Sequence, residues 1–182
     1  IPHASLLVQD MRGQTPLMVA MRRSRAPSKA KVVEILWNAT GEEGRRVKDK
    51  TGRTALHWMV LQMRGLKQAT ARCALLSSVS AEEIMERDIQ GNTVLHCAAM
   101  MKANAEEGLH ACQLVLEALH QLLPSQAYLT TNDDGLTALQ TAAVAKNHIA
   151  VRTLQQMVAR HELLEVDDTG DSFLLGLLKA DT

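Results

Sequence analysis

The sequence predicts an all-α solenoid: one domain over residues 1–182, built from four full turn–helix–helix units and a partial fifth. Three observations predict it. First, one frame recurs. Asp88, Gly91, Thr93, Leu95, His96 and the small pair Ala98-Ala99 match Asp10, Gly13, Thr15, Leu17, Ala20 and Asp49, Gly52, Thr54, Leu56, His57. The frame returns as Asn132, Gly135, Thr137, Leu139, Ala142-Ala143, and in weaker form as Asp167, Gly170, Ser172, Leu174. Second, the glycines stand 39, 39, 44 and 35 residues apart, a period that marks a stack of like units. Third, each frame has the chemistry of a turn entering a helix. Asp or Asn bonds its own backbone while Gly supplies the positive φ. Thr two residues beyond the Gly can accept an orphan N–H of the first helical turn.

The elements follow in order. In the first unit (about 7–45) the turn lies at Asp10–Gly13 and the inner helix runs from Thr15 to about Arg22. Pro16 stands at the first helical position, where its missing N–H costs nothing. The outer helix covers about Ser28–Asn38, with Val32, Val33, Ile35 and Leu36 spaced for one apolar stripe. The second unit (about 46–84) has an inner helix over Thr54–Met63, a connector at Arg64-Gly65-Leu66 and an outer helix over about Ala69–Ser78. The third (about 85–128) has an inner helix over Thr93–Lys102, a loop at 103–108 and an outer helix over Leu109–Leu123, which Pro124 ends. Ser125 to Thr131, β-branched and aromatic, is expected to extend a long hairpin. The fourth (about 129–163) has an inner helix over Thr137–Ala145 and an outer helix from Ile149 to about Leu163. Residues 164–182 form the partial fifth unit. Its run Phe173 to Leu178 is apolar for an end, so a following helix or a partner is expected to cover it.

The runs GQTPLMVA, GRTALHWMV, GNTVLHCAA and GLTALQTAA resemble the ankyrin repeat, whose unit is about 33 residues around a T-P-L-H-x-A core. The likeness spans about Leu7 to Leu178. It implies an ankyrin-repeat solenoid of stacked helix pairs with β-hairpin loops. It departs from the family in keeping Pro only at Pro16 and His only at His57 and His96, and in running long. The resemblance implies that those two imidazoles bond backbone around the Thr and tie neighbouring repeats together.

Composition narrows the function. Lys plus Arg and Asp plus Glu are 20 each, so net charge favours neither a nucleic-acid binder nor a membrane-surface protein. No apolar run reaches the 18 residues of a membrane span. Aromatics are 2% of the chain, leaving Leu, Ala, Val and nine Met residues to fill the interior. Cys73, Cys97 and Cys112 lack C-x-x-C spacing and read as buried thiols of a reducing compartment, hence an intracellular protein of cytoplasm or nucleus. His110 and His120 do not share a helix face as metal ligands would. No nucleophile elbow, Walker or dinucleotide glycine pattern occurs. The chain is therefore expected to be no enzyme and to hold no cofactor or metal. Glu82-Glu83, Glu106-Glu107 and Asp133-Asp134 read as solvated pairs in connectors. The two L-x-x-L-L runs, Leu119–Leu123 and Leu174–Leu178, read as helix core more readily than as docking motifs.

The resemblance also implies a binding face, concave and made of turn tips and the exposed ends of the inner helices. Carried over position by position, it comprises Met11, Arg12, Gln14, Arg22 and Arg23; Lys50, Thr51, Arg53, Leu61 and Gln62; Ile89, Gln90, Asn92, Met101 and Lys102; and Asp133, Asp134 and Leu136, with Val144 and Ala145. This face grades from basic through apolar to acidic. Ile1–Arg53 carries 11 basic and 5 acidic residues, a net +6, and Thr54–Thr182 carries 9 and 15, a net −6. Such a gradient orients a partner of opposite polarity. Within the family, ERDIQGNTVLHCAA and SQAYLTTNDDGLTALQTAA are similar to middle repeats of the inhibitor-of-κB proteins, which bind Rel-type transcription factors. The expectation is a non-catalytic regulator of that kind. An ankyrin adaptor or scaffold for another protein, such as a substrate receptor or cytoskeletal linker, is the alternative.

Overall fold

Two layers of helices, each running the length of the array, enclose a single apolar core. The computed structural model describes residues 3–23, 30–63, 65–101 and 106–160, and the expected fifth unit lies outside them. After a short α1 (His3–Leu6), the inner layer is α2 (Pro16–Arg23), α4 (Ala55–Leu61), α7 (Val94–Ala99) and α9 (Ala138–Val144), each packed on the next. The outer layer is α3 (Ala30–Arg46), α5 (Leu66–Leu76), α8 (Glu106–His120) and α10 (His148–Arg160), again in series. Leu17, Leu56, Leu95 and Leu139 of the recurring frame are all buried, as are Ala98 and Ala99. Small residues there let α7 sit close to α4, α8 and α9 at once.

The inner helices start where the Thr positions predict, through two kinds of cap. Thr137 and Gln140 cap reciprocally: the Gln140 amide donates to Thr137 Oγ1 (3.3 Å) and the Thr137 amide to Gln140 Oε1 (2.8 Å). At Thr54 and Thr93 the third helical residue is His instead. His57 Nδ1 lies 3.2 Å from the Thr54 amide nitrogen, and His96 Nδ1 lies 3.3 Å from that of Thr93.

Between outer helix and next turn a short third element appears that periodicity did not reveal. It is a turn of helix after a break at Gly41 (φ 67°, ψ −179°), then α6 (Ala81–Met85), then a 3₁₀ helix over Ser125–Tyr128. The last replaces the hairpin strand expected over 125–131. Among the described residues no strand forms, and Thr131 meets Thr137 only as an isolated bridge. Pro124 starts that 3₁₀ turn by accepting the Ala127 amide at 2.9 Å, and Tyr128 is buried under it.

Glu83 corrects the reading of Glu82-Glu83 as a solvated pair. Glu82 is exposed, but Glu83 is 1% exposed. Its carboxylate accepts the Ser80 amide (3.0 Å) to cap α6 and both Arg45 Nε (2.8 Å) and Arg45 Nη2 (3.2 Å). The Arg45 guanidinium also lies 4.8 Å over the Trp37 ring and donates to the Ser78 carbonyl, while the Trp37 indole donates to Ser78 Oγ. A buried bidentate pair of this kind is a costly arrangement unless all its polar atoms are met; here it locks the first outer helix to the second unit. A second buried cation acts inward. Arg72 of α5 donates to the carbonyls of Met59 (2.7 Å) and Met21 (2.8 Å), near the ends of α4 and α2, and burial pulls its pKa down to about 10.

Candidate partner-binding surface

The surface is organised by four copies of one turn. In each, the acid or amide accepts two backbone N–H groups on one oxygen: Asp10 Oδ1 from Arg12 and Gln14, Asp49 Oδ1 from Thr51 and Arg53, Asp88 Oδ1 from Gln90 and Asn92, and Asn132 Oδ1 from Asp134 and Leu136. These bonds hold the Asp10 carboxyl below its ordinary pKa, the Gln14 amide contributing most. At Asp49 burial works the other way, but the Thr51 hydroxyl, the Trp58 indole and two backbone amides outweigh it and keep the group acidic.

Successive tips are joined edge to edge. The Lys50 amide donates to the Arg12 carbonyl (3.1 Å), Ile89 to Thr51 (3.1 Å) and Asp133 to Gln90 (3.0 Å). Gly52, in the left-handed region at φ 72°, permits this approach: a Cβ there would stand 2.7 Å from the Ile89 nitrogen. A second ladder uses the residue before each Asp. Gln9 donates to the Lys48 carbonyl (2.9 Å), Lys48 to that of Arg87 (2.9 Å), and Arg87 to that of Thr131 (2.7 Å).

The histidines form a third ladder. His57 Nε2 lies 3.1 Å from the Asn92 carbonyl and His96 Nε2 lies 3.0 Å from the Leu136 carbonyl. A carbonyl brings no hydrogen, so Nε2 carries the proton and Nδ1 is left to accept from the Thr. Burial pushes both imidazoles below their ordinary pKa, keeping them neutral.

The expected face residues divide sharply. Met11 (92% exposed), Ile89 (67%), Arg12, Lys50, Gln90, Asp133 and Asp134 project from the tips. Arg23, Val144 and Ala145 are exposed at the inner-helix ends; Arg22, Thr51, Arg53, Leu61, Gln62 and Leu136 are half-buried. Lys102 lies outside the described residues. Gln14, Asn92 and Met101 are not surface residues, each being 5% exposed or less. The residues after Gly13 and Gly91 turn inward, and the Asn92 side chain accepts from Asn132 Nδ2 (3.0 Å). Met101 follows the last turn of α7 back beneath Asn147, whose amide donates to its carbonyl (3.0 Å). The apolar middle of the row is therefore Ile89. The gradient is also shallower than the residue count suggests, because Arg53 pairs with Asp88 (3.3 Å) and Arg87 with Asp133 (3.5 Å).

Trp58 is the residue that reasoning by position overlooked. Half-buried at the centre of the row, it donates its indole N–H to Asp49 Oδ2 (2.8 Å) beneath the Arg53 guanidinium, 5.6 Å above the ring. Its signal was a Trp directly after the His of the frame, five residues beyond the Arg that follows Gly52.

The three cysteine thiols are all held protonated by burial. Burial raises the Cys73 thiol to about 11 and Cys97 to about 12, and raises Cys112 as well, so none is a ready thiolate. Among the described residues no helix is long and apolar enough to cross a membrane. No family model matches the chain, and no curated protein matches it.

Proposed function

We propose that this chain is an ankyrin-type repeat array acting as a non-catalytic protein-binding regulator, with a Rel-type transcription factor as its partner. The observation that supports it best is the row of tips. Met11, Lys50, Ile89 and Asp133 occupy one position of four identical turns, all exposed, on a backbone fixed by tip-to-tip bonds. A row held in place before a partner arrives loses little conformational freedom on binding. Its apolar points, Met11 and Ile89, alternate with charged ones, which suits a partner with both anchoring and steering contacts.

The test is titration of a Rel homology domain against wild type and two double reversals. Arg12→Glu with Arg23→Glu alters the basic end, and Asp133→Lys with Asp134→Lys alters the acidic end; all four side chains are exposed. Exposed charges contribute about 0.2–1 kcal/mol per pair, so each double reversal is expected to weaken binding by about tenfold at low salt. The loss falls mainly on the association rate and shrinks as salt rises. Equal binding by wild type and both variants, or none by wild type, refutes the reading.

A further inference from the structure

The residues after Gly13, Gly52 and Gly91 each carry a side-chain contact across the junction to the next unit's turn. Gln14 Nε2 lies 3.5 Å from Asp49 Oδ2, Arg53 Nε donates to Asp88 Oδ2 (3.3 Å), and Asn92 Oδ1 accepts from Asn132 Nδ2 (3.0 Å). One polar atom suffices at each place, and Gln14 and Asn92 supply it while only 3% exposed. Arg53 brings more than the junction uses. Its Nε alone is engaged, its side chain is 25% exposed, and its two Nη groups have no acceptor among the described residues.

The guanidinium is held from two sides. The Asp88 side chain is fully buried and is fixed by the Gln90 and Asn92 amides on its other oxygen. The Trp58 ring lies 5.6 Å beneath the guanidinium and is pinned by its own indole bond to Asp49 Oδ2 (2.8 Å). An arginine so oriented keeps its planar Nη1–Nη2 edge for a carboxylate, which accepts two parallel N–H bonds. The series Asp49, Trp58, Arg53, Asp88 also ties the second tip to the third, so this edge stands at a set place in the row.

The surroundings narrow the ligand. Lys50, at the tip of the same turn, is exposed and makes no ion pair with a described residue. At the end of neighbouring α2, Arg22 Nε is buried with no acceptor among the described residues, and such a donor costs stability until an acceptor reaches it. The exposed Ile89 stands against the same turn, its Cγ2 3.0 Å from where a Cβ on Gly52 would lie. Cations beside an apolar side chain suit a polypeptide that mixes carboxylates with apolar groups; a nucleic-acid backbone would leave Ile89 unmatched.

We infer that Arg53 is a carboxylate receptor at the centre of the tip row. It takes a Glu or Asp side chain from an acidic stretch of a partner protein, whose neighbouring apolar side chain covers Ile89. Trp58 is the positioning residue. The inference rests on the tip row being a protein-binding surface, but not on which protein occupies it.

The test is fluorescence anisotropy of a labelled peptide, a run of glutamates with one leucine at its middle, titrated with the whole chain. The same peptide with glutamine for glutamate is the comparison, expected to bind wild type about tenfold more weakly or worse. Arg53→Gln keeps a donor for Asp88, as Gln14 does for Asp49, so its helical circular dichroism and urea midpoint are expected to stay near those of wild type. It is nevertheless expected to lose about tenfold or more in affinity for the glutamate peptide, the worth of a charge-assisted hydrogen bond. Arg53→Lys has the charge without the planar edge, and its affinity is expected to lie nearer that of Arg53→Gln than that of wild type. Arg12→Gln removes the same charge from a side chain that nothing holds, and is expected to cost about twofold to fivefold. Failure of wild type to bind the glutamate peptide overturns the inference, as do equal affinities for the two peptides. So does a loss in Arg53→Gln no larger than in Arg12→Gln, full rescue by Arg53→Lys, or tighter binding of a single-stranded DNA of equal charge. A Rel homology domain that fails to bind refutes the partner proposed above and leaves these titrations as they stand.

Discussion

Replacing His57 and His96 by Gln separates their two duties, capping and charge. The fourth unit already shows what Gln does in this slot: Gln140 caps Thr137 as His caps Thr54 and Thr93, but cannot titrate. Both imidazoles are held neutral by burial, with folded pKa values below the ordinary 6.5. Below pH 6.5 the unfolded chain therefore binds more protons than the folded one, and stability falls as pH drops. It is fully present above about 6.5 and declines until each folded pKa is reached. Between the folded and the unfolded pKa the slope approaches about 1.4 kcal/mol per pH unit for each histidine. The carboxyls held acidic here, Asp10, Asp49 and Glu86 (paired with Lys48 and Arg46, each at 2.8 Å), begin to lose their share only at lower pH, near their ordinary values of 3.8 to 4.5. The interval therefore separates the imidazoles from these carboxyls. Urea unfolding followed by circular dichroism at half-unit steps from pH 7.5 to 5 measures it. The double variant is expected to lose about 1 kcal/mol per missing inter-unit bond at pH 7.5 and to have a much flatter profile. A pH slope equal to that of wild type refutes the argument.

Two further outcomes follow from the core. Arg45→Met leaves the Glu83 carboxylate buried without its cation and is expected to cost about 3–5 kcal/mol, most of it recovered when Glu83→Leu is added; urea midpoints of the single and double variants decide this. Leu56→Ala and Leu95→Ala, each emptying a site no more than 1% exposed, should each cost roughly 2–5 kcal/mol. Hydrogen exchange should then quicken in the flanking units as well as in the mutated one, since neighbours share the junction.

The inner layer was legible because its determinants are local. Thr15, Thr54, Thr93 and Thr137 start their helices through contacts within four residues, and the Asp-to-Gly turns close on themselves. The third short element was written as plainly in Ser80-Ala81-Glu82-Glu83, a capping box, but the eye that counts turns and apolar periods passes over five-residue helices. The Arg45–Glu83 pair spans 38 residues, and no spacing rule announces which of two adjacent glutamates turns inward. Face assignment failed for the same reason. Gln14 and Asn92 are polar residues beside tight turns, where exposure is the ordinary expectation, and only the neighbouring unit makes those positions interior. Met101 failed because α7 stops at Ala99, sooner than its apolar pattern suggested.

The third spacing between frame glycines, 44 residues rather than 39, would be expected to push the fourth turn out of line with the others. It does not, since the Asp133-to-Gln90 bond is 3.0 Å where its counterparts are 3.1 Å. The extra length sits where α8 and the 3₁₀ turn of Ser125–Tyr128 intervene. The tip row thus behaves as a ruler whose graduations are set by one hydrogen bond per unit and are blind to how much chain is stored behind them. Insertions and deletions in the outer layer can accumulate without moving a graduation, so the back of the molecule is free to diversify while the exposed tips keep their intervals.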